Sequence, residues 1–235
     1  MRKSVAILLA GLILVAPAFP ALAVAGGDAN SLRWQFDVSL NGKLVGYHSF
    51  EVRQNGRQQM LQTEASFDVK FLFVTAFRYR HQSTEVWNDG CLRSIDATTN
   101  SNGKALSVRG TGVANSFDLS STAGSATLTG CIQSFAYWNP AVLESSRLLN
   151  SQTGEYEDVT VAFENREWLD VGGTPVDALR YRLSAKAGDI TLWYSNEDRT
   201  WLGLEAPAKG GRTISYTAVS VPDRNTVAQL FAAGD

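Results

Sequence analysis

The chain has 235 residues, a formal net charge of −2, 44% hydrophobic residues and 10% aromatic ones. There is no basic surplus, so the electrostatic footprint of a nucleic-acid binder is missing. The size fits one large β domain or two small ones. Two cysteines and two histidines, with no CxxC pair, do not make a zinc pattern.

The N-terminus carries the clearest signal. Arg2 and Lys3 precede an unbroken run of apolar residues and glycine from Ala6 to Val15, and Ala21-Leu22-Ala23 offers a small-x-small cleavage site, with Ala23-Val24-Ala25 as a second. This predicts a Sec-type signal peptide over residues 1–23 and a single β-rich domain over 24–235. A membrane anchor would need ~20 apolar residues, and Pro17 and Pro20 interrupt the run. No cysteine follows the cleavage site, so lipidation is not indicated. Removing 23 of the 235 residues leaves 212, and losing Arg2 and Lys3 takes the charge from −2 to −4. No second run of spanning length follows, so a soluble periplasmic or secreted product is expected. In that oxidising setting Cys91 and Cys131 read as a disulfide, two free buried thiols being the alternative. Closing a loop of about 40 residues is worth ~4 kcal/mol on the chain-entropy model.

Alternation with period two then dominates. Trp34, Phe36, Val38 and Leu40 share one face, and Asn41-Gly42 follows as a hairpin turn. Return strands are expected over Leu44 to Val52, after the Asn55-Gly56 turn, and through Leu61, Thr63, Ala65, Phe67 and Val69. The stretch 71-FLFVTAF-77 is apolar at nearly every position, as in a strand buried on both faces or facing a second apolar surface. Asn88-Asp89-Gly90 and Asn100-Ser101-Asn102-Gly103 mark further turns, with strands near 105–109, 115–120 and 125–129. Strands resume over Glu155 to Ala162, Arg166 to Val171, Leu179 to Lys186, Asp189 to Ser195, Trp201 to Glu205 and Arg212 to Val221. Short turns without intervening helices predict an antiparallel meander. The expected fold is all-β, a strongly curved meander forming an open or half barrel, with a two-sheet sandwich as the alternative. One internal helix is predicted over Pro140 to Leu149 on the concave side. Asn139 is a favoured N-cap, proline a favoured first residue, and Asn150 a tolerated left-handed end. A second short helix is expected over Arg224 to Ala232.

Candidate chemistry is sparse. In 77-FRYRHQSTEVW-87 a strand would place Phe77, Tyr79, His81, Ser83, Glu85 and Trp87 on one face. Residues two apart on a strand lie ~6.7 Å apart, too far for a direct relay from Ser83 through His81 to Glu85. Glu197-Asp198 lies in a polar turn and reads as solvated. No metal-ligand cluster or glycine-rich phosphate loop is evident, and no cofactor is expected. The six tryptophans all fall in or beside expected strands, where aromatics suit a half-buried pleated surface. They make a plain core, or the wall of an apolar cavity.

Several motifs resemble an exported bacterial family of unknown function, domain of unknown function 6134. They are Trp34-x-Phe36-x-Val38 with Asn41-Gly42 and Gly46-x-His48; Ala65-x-Phe67-x-Val69; His81-x-x-x-Glu85-x-Trp87 with Gly90-Cys91-Leu92; Gly130-Cys131; Phe135-Ala136-Tyr137-Trp138-Asn139-Pro140; Leu148-Leu149-Asn150-x-Gln152-Thr153-Gly154; and Leu192-Trp193-Tyr194-Ser195. The resemblance spans nearly the whole mature chain and implies export but no activity. The plan is also similar to periplasmic lipoprotein-carrier-like half-barrels, in architecture alone.

These readings lead to a periplasmic protein binding or carrying an apolar or amphipathic small molecule or lipid. The ligand-binding candidates are His81, Glu85, Tyr137, Trp138, Asn139, Asn150 and Gln152. The alternatives are a structural or interaction component of an envelope assembly, and a hydrolase-like enzyme built from Tyr137, Asn139, His81 and Glu85.

Overall fold

The computed structural model describes residues 31–71, 74–223 and 227, the side chains of 71 and 74 excepted. The expected signal peptide lies outside the described residues. So do positions 72–73 of the apolar run and all of the expected C-terminal helix but Val227, which is helical and buried.

The strands are β1 (Ser31–Leu40), β2 (Lys43–Asn55), β3 (Gln58–Phe71), β4 (Val74–Asn88), β5 (Cys91–Ser101), β6 (Lys104–Val113), β7 (Ser116–Ser121), β8 (Gly124–Thr129), β9 (Arg147–Leu149), β10 (Tyr156–Asp158), β11 (Thr160–Val171), β12 (Thr174–Ala185), β13 (Gly188–Ser195), β14 (Trp201–Ala208) and β15 (Arg212–Ser220). All but β9 and β10 form one 13-stranded antiparallel sheet, in the order β11-β12-β13-β14-β15-β1-β2-β3-β4-β5-β6-β7-β8. Neighbours in the sheet are neighbours in the chain, with one exception. β1 pairs with β15 as well as β2, so the two wings of the meander are joined at the sheet's centre. β11 and β8 are its edges, and the sheet is not closed.

The local reasons follow from the sequence. At Asn41-Gly42, Asp89-Gly90 and Asn102-Gly103 both turn residues have positive φ, from 48° to 89°. That is the backbone a two-residue type I′ hairpin needs. Between turns the alternation sets the faces: Leu32, Trp34, Phe36 and Val38 are buried while Arg33 and Asp37 are exposed. The core gathers Leu32, Trp87 and Phe117 from one wing and Leu183, Leu192 and Tyr194 from the other, so the sheet wraps around a single interior. Phe36, Phe50 and Trp201 pack at its centre with ring centroids 4.4–6.1 Å apart. The Trp34 indole donates to the Trp201 carbonyl at 3.1 Å, tying β1 to β14 across the concave face.

The segment 130–159 links the two edges and fills part of the interior. Ile132, Ala136, Trp138, Val142, Leu148, Leu149 and Val159 are all buried in the common core. Cys91 and Cys131 form a disulfide with Cα atoms 5.1 Å apart, and the Leu92 N–H donates to the Ile132 carbonyl at 2.9 Å. Together they fasten the β4–β5 turn to the start of this segment.

The internal helix expected over Pro140 to Leu149 is corrected here. Only Pro140–Glu144 is helical, as a 3₁₀ helix, and Arg147–Leu149 is strand β9, paired with β10. Asn139 and Pro140 do start the turn as capping chemistry requires, with the Asn139 Oδ1 accepting from the Ala141 N–H at 3.0 Å. The turn ends because Ser145 is extended (φ −82°, ψ 140°), its hydroxyl bonded back to the Ala141 carbonyl. Beyond it, Asn150 builds a hairpin. Its Oδ1 accepts from the Gln152 and Thr153 N–H groups at 3.0 and 3.2 Å, an Asx turn. Gly154 has φ 77°, and a Cβ there would meet the Ser121 side chain at 2.5 Å. The polar run Asn150 to Gly154 is therefore a hairpin turn between two short strands.

Candidate functional site

The site begins with a row of residues across neighbouring strands. Register places Phe36 on β1 opposite His48 on β2, His48 opposite Ala65 on β3, Ala65 opposite His81 on β4, and His81 opposite Thr99 on β5. Strands lie ~4.8 Å apart, so the two histidines flank one small side chain. Because that side chain is alanine, the rings meet over it edge to face, with centroids 6.4 Å apart. The next row toward the core places Thr63 opposite Ser83, hydroxyls 3.0 Å apart, and the row beyond places Leu61 opposite Glu85.

Over these rows lies an interior cavity of about 370 Å³. Its walls are mostly apolar, from Phe50, Leu61, Phe67, Ile190, Leu204 and Ile214 on the sheet and Phe135 and Ala136 on the inserted segment. Polar groups enter at His48, Tyr79, His81, Ser83, Glu85, Tyr137, Asn150, Gln152, Glu157 and Tyr216. No lysine or arginine among the described residues lines it. A wider groove of about 640 Å³ runs over the outer face among Arg33, Gln62, Gln82 and Thr98. Ligand clefts are typically concave and mainly apolar with a few convergent polar groups, which describes the interior cavity and not the outer groove.

Burial sets the electrostatics. His81 Nδ1 lies 2.8 Å from the Thr99 hydroxyl, and burial pulls its pKa from 6.5 down to about 4. His48 Nδ1 lies 3.0 Å from the Tyr216 hydroxyl. Burial, with the neighbouring His81, holds His48 well below the usual histidine range. Its other nitrogen, Nε2, is buried and has no hydrogen-bond partner among the described residues. Glu85 is 3% exposed, and burial raises its pKa from 4.5 to about 7 against the opposing pull of two donors. Those donors are Ser134 Oγ and Trp87 Nε1, each 3.0 Å from the same oxygen, Oε2. Burial also raises Tyr79, Tyr137 and Tyr216 above the ordinary tyrosine range. Near pH 7 the pocket is thus polar but nearly free of charge at its histidine level.

Of the sequence candidates, His81, Glu85, Tyr137, Asn150 and Gln152 all line this cavity. Asn150 holds the Glu157 carboxylate at 3.1 Å through Nδ2. Trp138 and Asn139 do not line it. Trp138 packs perpendicular to Trp87 with centroids 5.9 Å apart, and Asn139 is spent on the turn it caps. The expected inner face of β4, Phe77 to Trp87, is the inner face, and all of it but Trp87 borders the cavity. His81, Ser83 and Glu85 are not bonded to one another: His81 meets Thr99, Ser83 meets Thr63, and Glu85 accepts from Trp87 and Ser134. Glu197-Asp198 is a turn whose N–H groups donate to Ser195 Oγ. No group of three or more metal-ligating side chains is found among the described residues.

Sequence reasoning missed His48 and Tyr216. For His48 a signal existed, since it alternates with Phe50 and Val52 on the inward face. Tyr216 reaches it from 168 residues away, a pairing that only the β1–β15 junction creates.

Among curated proteins none matches the chain. A solved structure, the β-barrel-like protein of domain of unknown function DUF1849 from Brucella abortus, is similar in fold, with a TM-score of 0.58 and 10% identity over 83% of this chain and 98% of that one. No helix among the described residues is long and apolar enough to cross a membrane. The family model for the domain of unknown function DUF6134 matches residues 36–219, and the chain belongs to that family.

Proposed function

We propose that this is an exported binding or carrier protein that takes an apolar or amphipathic small molecule into the interior cavity. One observation carries the reading: the inserted segment does not fill the curved sheet, and leaves a void of about 370 Å³ walled by Phe50, Phe67, Leu204 and Ile214. That volume is at the lower end of the ~300–1,000 Å³ typical of ligand clefts. The periplasm or the extracellular medium is the proposed location, on the strength of the N-terminal sequence and the cysteine pair.

Native mass spectrometry of the protein purified from its producing cells, before and after organic extraction, tests the reading. A reproducible bound mass that extraction removes is expected. Ala206→Trp, which fills part of the wall, should lower its occupancy at least tenfold while the fold is kept. A protein that carries no bound mass and takes up no apolar probe would overturn it.

A further inference from the structure

We infer that the cavity selects an amphiphile whose head is uncharged and hydrogen-bonding, a hydroxyl or carbonyl, seated against His48. The inference rests on the binding reading above and specifies its ligand class.

Three observations converge on it. Among the described residues no lysine or arginine lines the cavity, and its carboxyl groups are Glu85 and Glu157. A buried carboxylate or phosphate head would meet no countercharge and two acidic neighbours, and buried charges persist only when paired. The two arginines of β4 beside the cavity are both taken up by Asp68, Arg78 at 3.2 Å and Arg80 at 2.8 Å, and Arg80 also donates to the Phe67 carbonyl at 3.0 Å.

Second, the carboxyl groups are already engaged. Ser134 and Trp87 hold Glu85, and the Asn150 amide holds Glu157. A cationic head would find Glu85 largely without its charge below pH 7.

Third, His48 lines the cavity, and its ring nitrogen Nε2 is buried without a hydrogen-bond partner among the described residues. The Tyr216 hydroxyl on Nδ1 holds the ring in place, and the tautomer it sets decides whether Nε2 accepts or donates. An alcohol serves either tautomer, giving a proton to a bare Nε2 or accepting one from Nε2–H. A carbonyl serves the second. A neutral head thus supplies the missing hydrogen bond without bringing charge into an apolar space.

The test compares five probes with the same ten-carbon chain on the stripped wild-type protein at pH 6.5: decan-1-ol, decane, decanoate, decyl phosphate and decyltrimethylammonium. Decan-1-ol is expected to bind at least tenfold more tightly than each of the others. His48→Leu should bring decan-1-ol down to the level of decane, about a tenfold loss, while decane itself changes less than twofold. The ranking is read on the wild-type chain and stands even if that variant does not fold. A charged probe that matches decan-1-ol, or decane that matches it, overturns the inference and leaves the binding reading intact. If none of the five binds, the binding reading itself falls.

Discussion

Glu85 is strongly displaced from its ordinary chemistry by its surroundings. In the folded chain its pKa stands at about 7 against 4.5 in the open. The folded state therefore keeps a proton that the unfolded chain has released, and the stability this confers, full below pH 4.5, is lost as pH rises through 7. The difference corresponds to something on the order of 3 kcal/mol. His81 works in the opposite sense. Its folded pKa of about 4 against 6.5 makes its contribution complete above pH 6.5 and lost as pH falls through 4. Glu85→Gln keeps the shape of the protonated acid and removes the titration. Urea titrations at pH 5 and pH 8 should show the variant gaining on wild type by roughly 2–3 kcal/mol at the higher pH. Parallel stability curves for the two proteins would show that Glu85 is not held protonated. Trp138 tests packing at the same scale. It is 1% exposed against Trp87, and Trp138→Ala should cost about 3–5 kcal/mol by the large-to-small rule, read as a lower urea midpoint.

At the scale of elements, the hairpin β9–β10 with its turn is where sequence and structure part. The strands of the main sheet were legible because alternation and Asn-Gly-type turns are local signals. Trp34-x-Phe36-x-Val38 and Asn41-Gly42 declare a strand and its reversal within a dozen residues. The segment 140–149 carries two local signals, and both point to a helix. Asn139-Pro140 starts a helical turn, and the side chains after it have helical spacing. Leu148 and Leu149 are both fully buried, however, and they are held by pairing with Tyr156 and Glu157 and by a parallel bridge from Ser134 to Leu149. Tertiary pairing overrode spacing, and the turn that permits it was read as a helix end. For the same reason half of the cavity was legible and half was not. His81 and Glu85 follow from one strand's alternation, whereas His48 meets Tyr216 only through a junction between chain ends. Asn150→Ala would delete the acceptor for two backbone N–H groups and the donor to Glu157. It should cost about 1–2 kcal/mol. Hydrogen exchange should then accelerate at Leu148, Leu149 and Glu157 while amides in β2–β5 keep their protection. Uniform loss of protection would mean that the hairpin does not open on its own.

At the scale of the molecule, the disulfide and the central junction bear on how the sheet holds its curvature. Cys91–Cys131 closes 40 residues and anchors the inserted segment beneath β4 and β5. Replacing both cysteines by serine should cost about 4 kcal/mol through the unfolded state. It should also loosen the Ser134 contact with Glu85, so the cavity floor softens along with the fold. Thermal denaturation with and without reductant measures the first effect. Binding of an apolar probe to the Cys91→Ser/Cys131→Ser protein measures the second, and unchanged uptake would show that the floor holds without the bridge.

The junction of β1 with β15 has a consequence for the order of synthesis. β1 is made early, yet one of its long edges is satisfied by β15, which begins 172 residues after Leu40, at Arg212. Until then the half-sheet β1–β8 presents an open strand edge, the template on which chains pair with one another. A nascent chain therefore has to be kept apart from its neighbours almost to its last strand. A chain cut at Gly211 should collect in the insoluble fraction however well its first eight strands are formed.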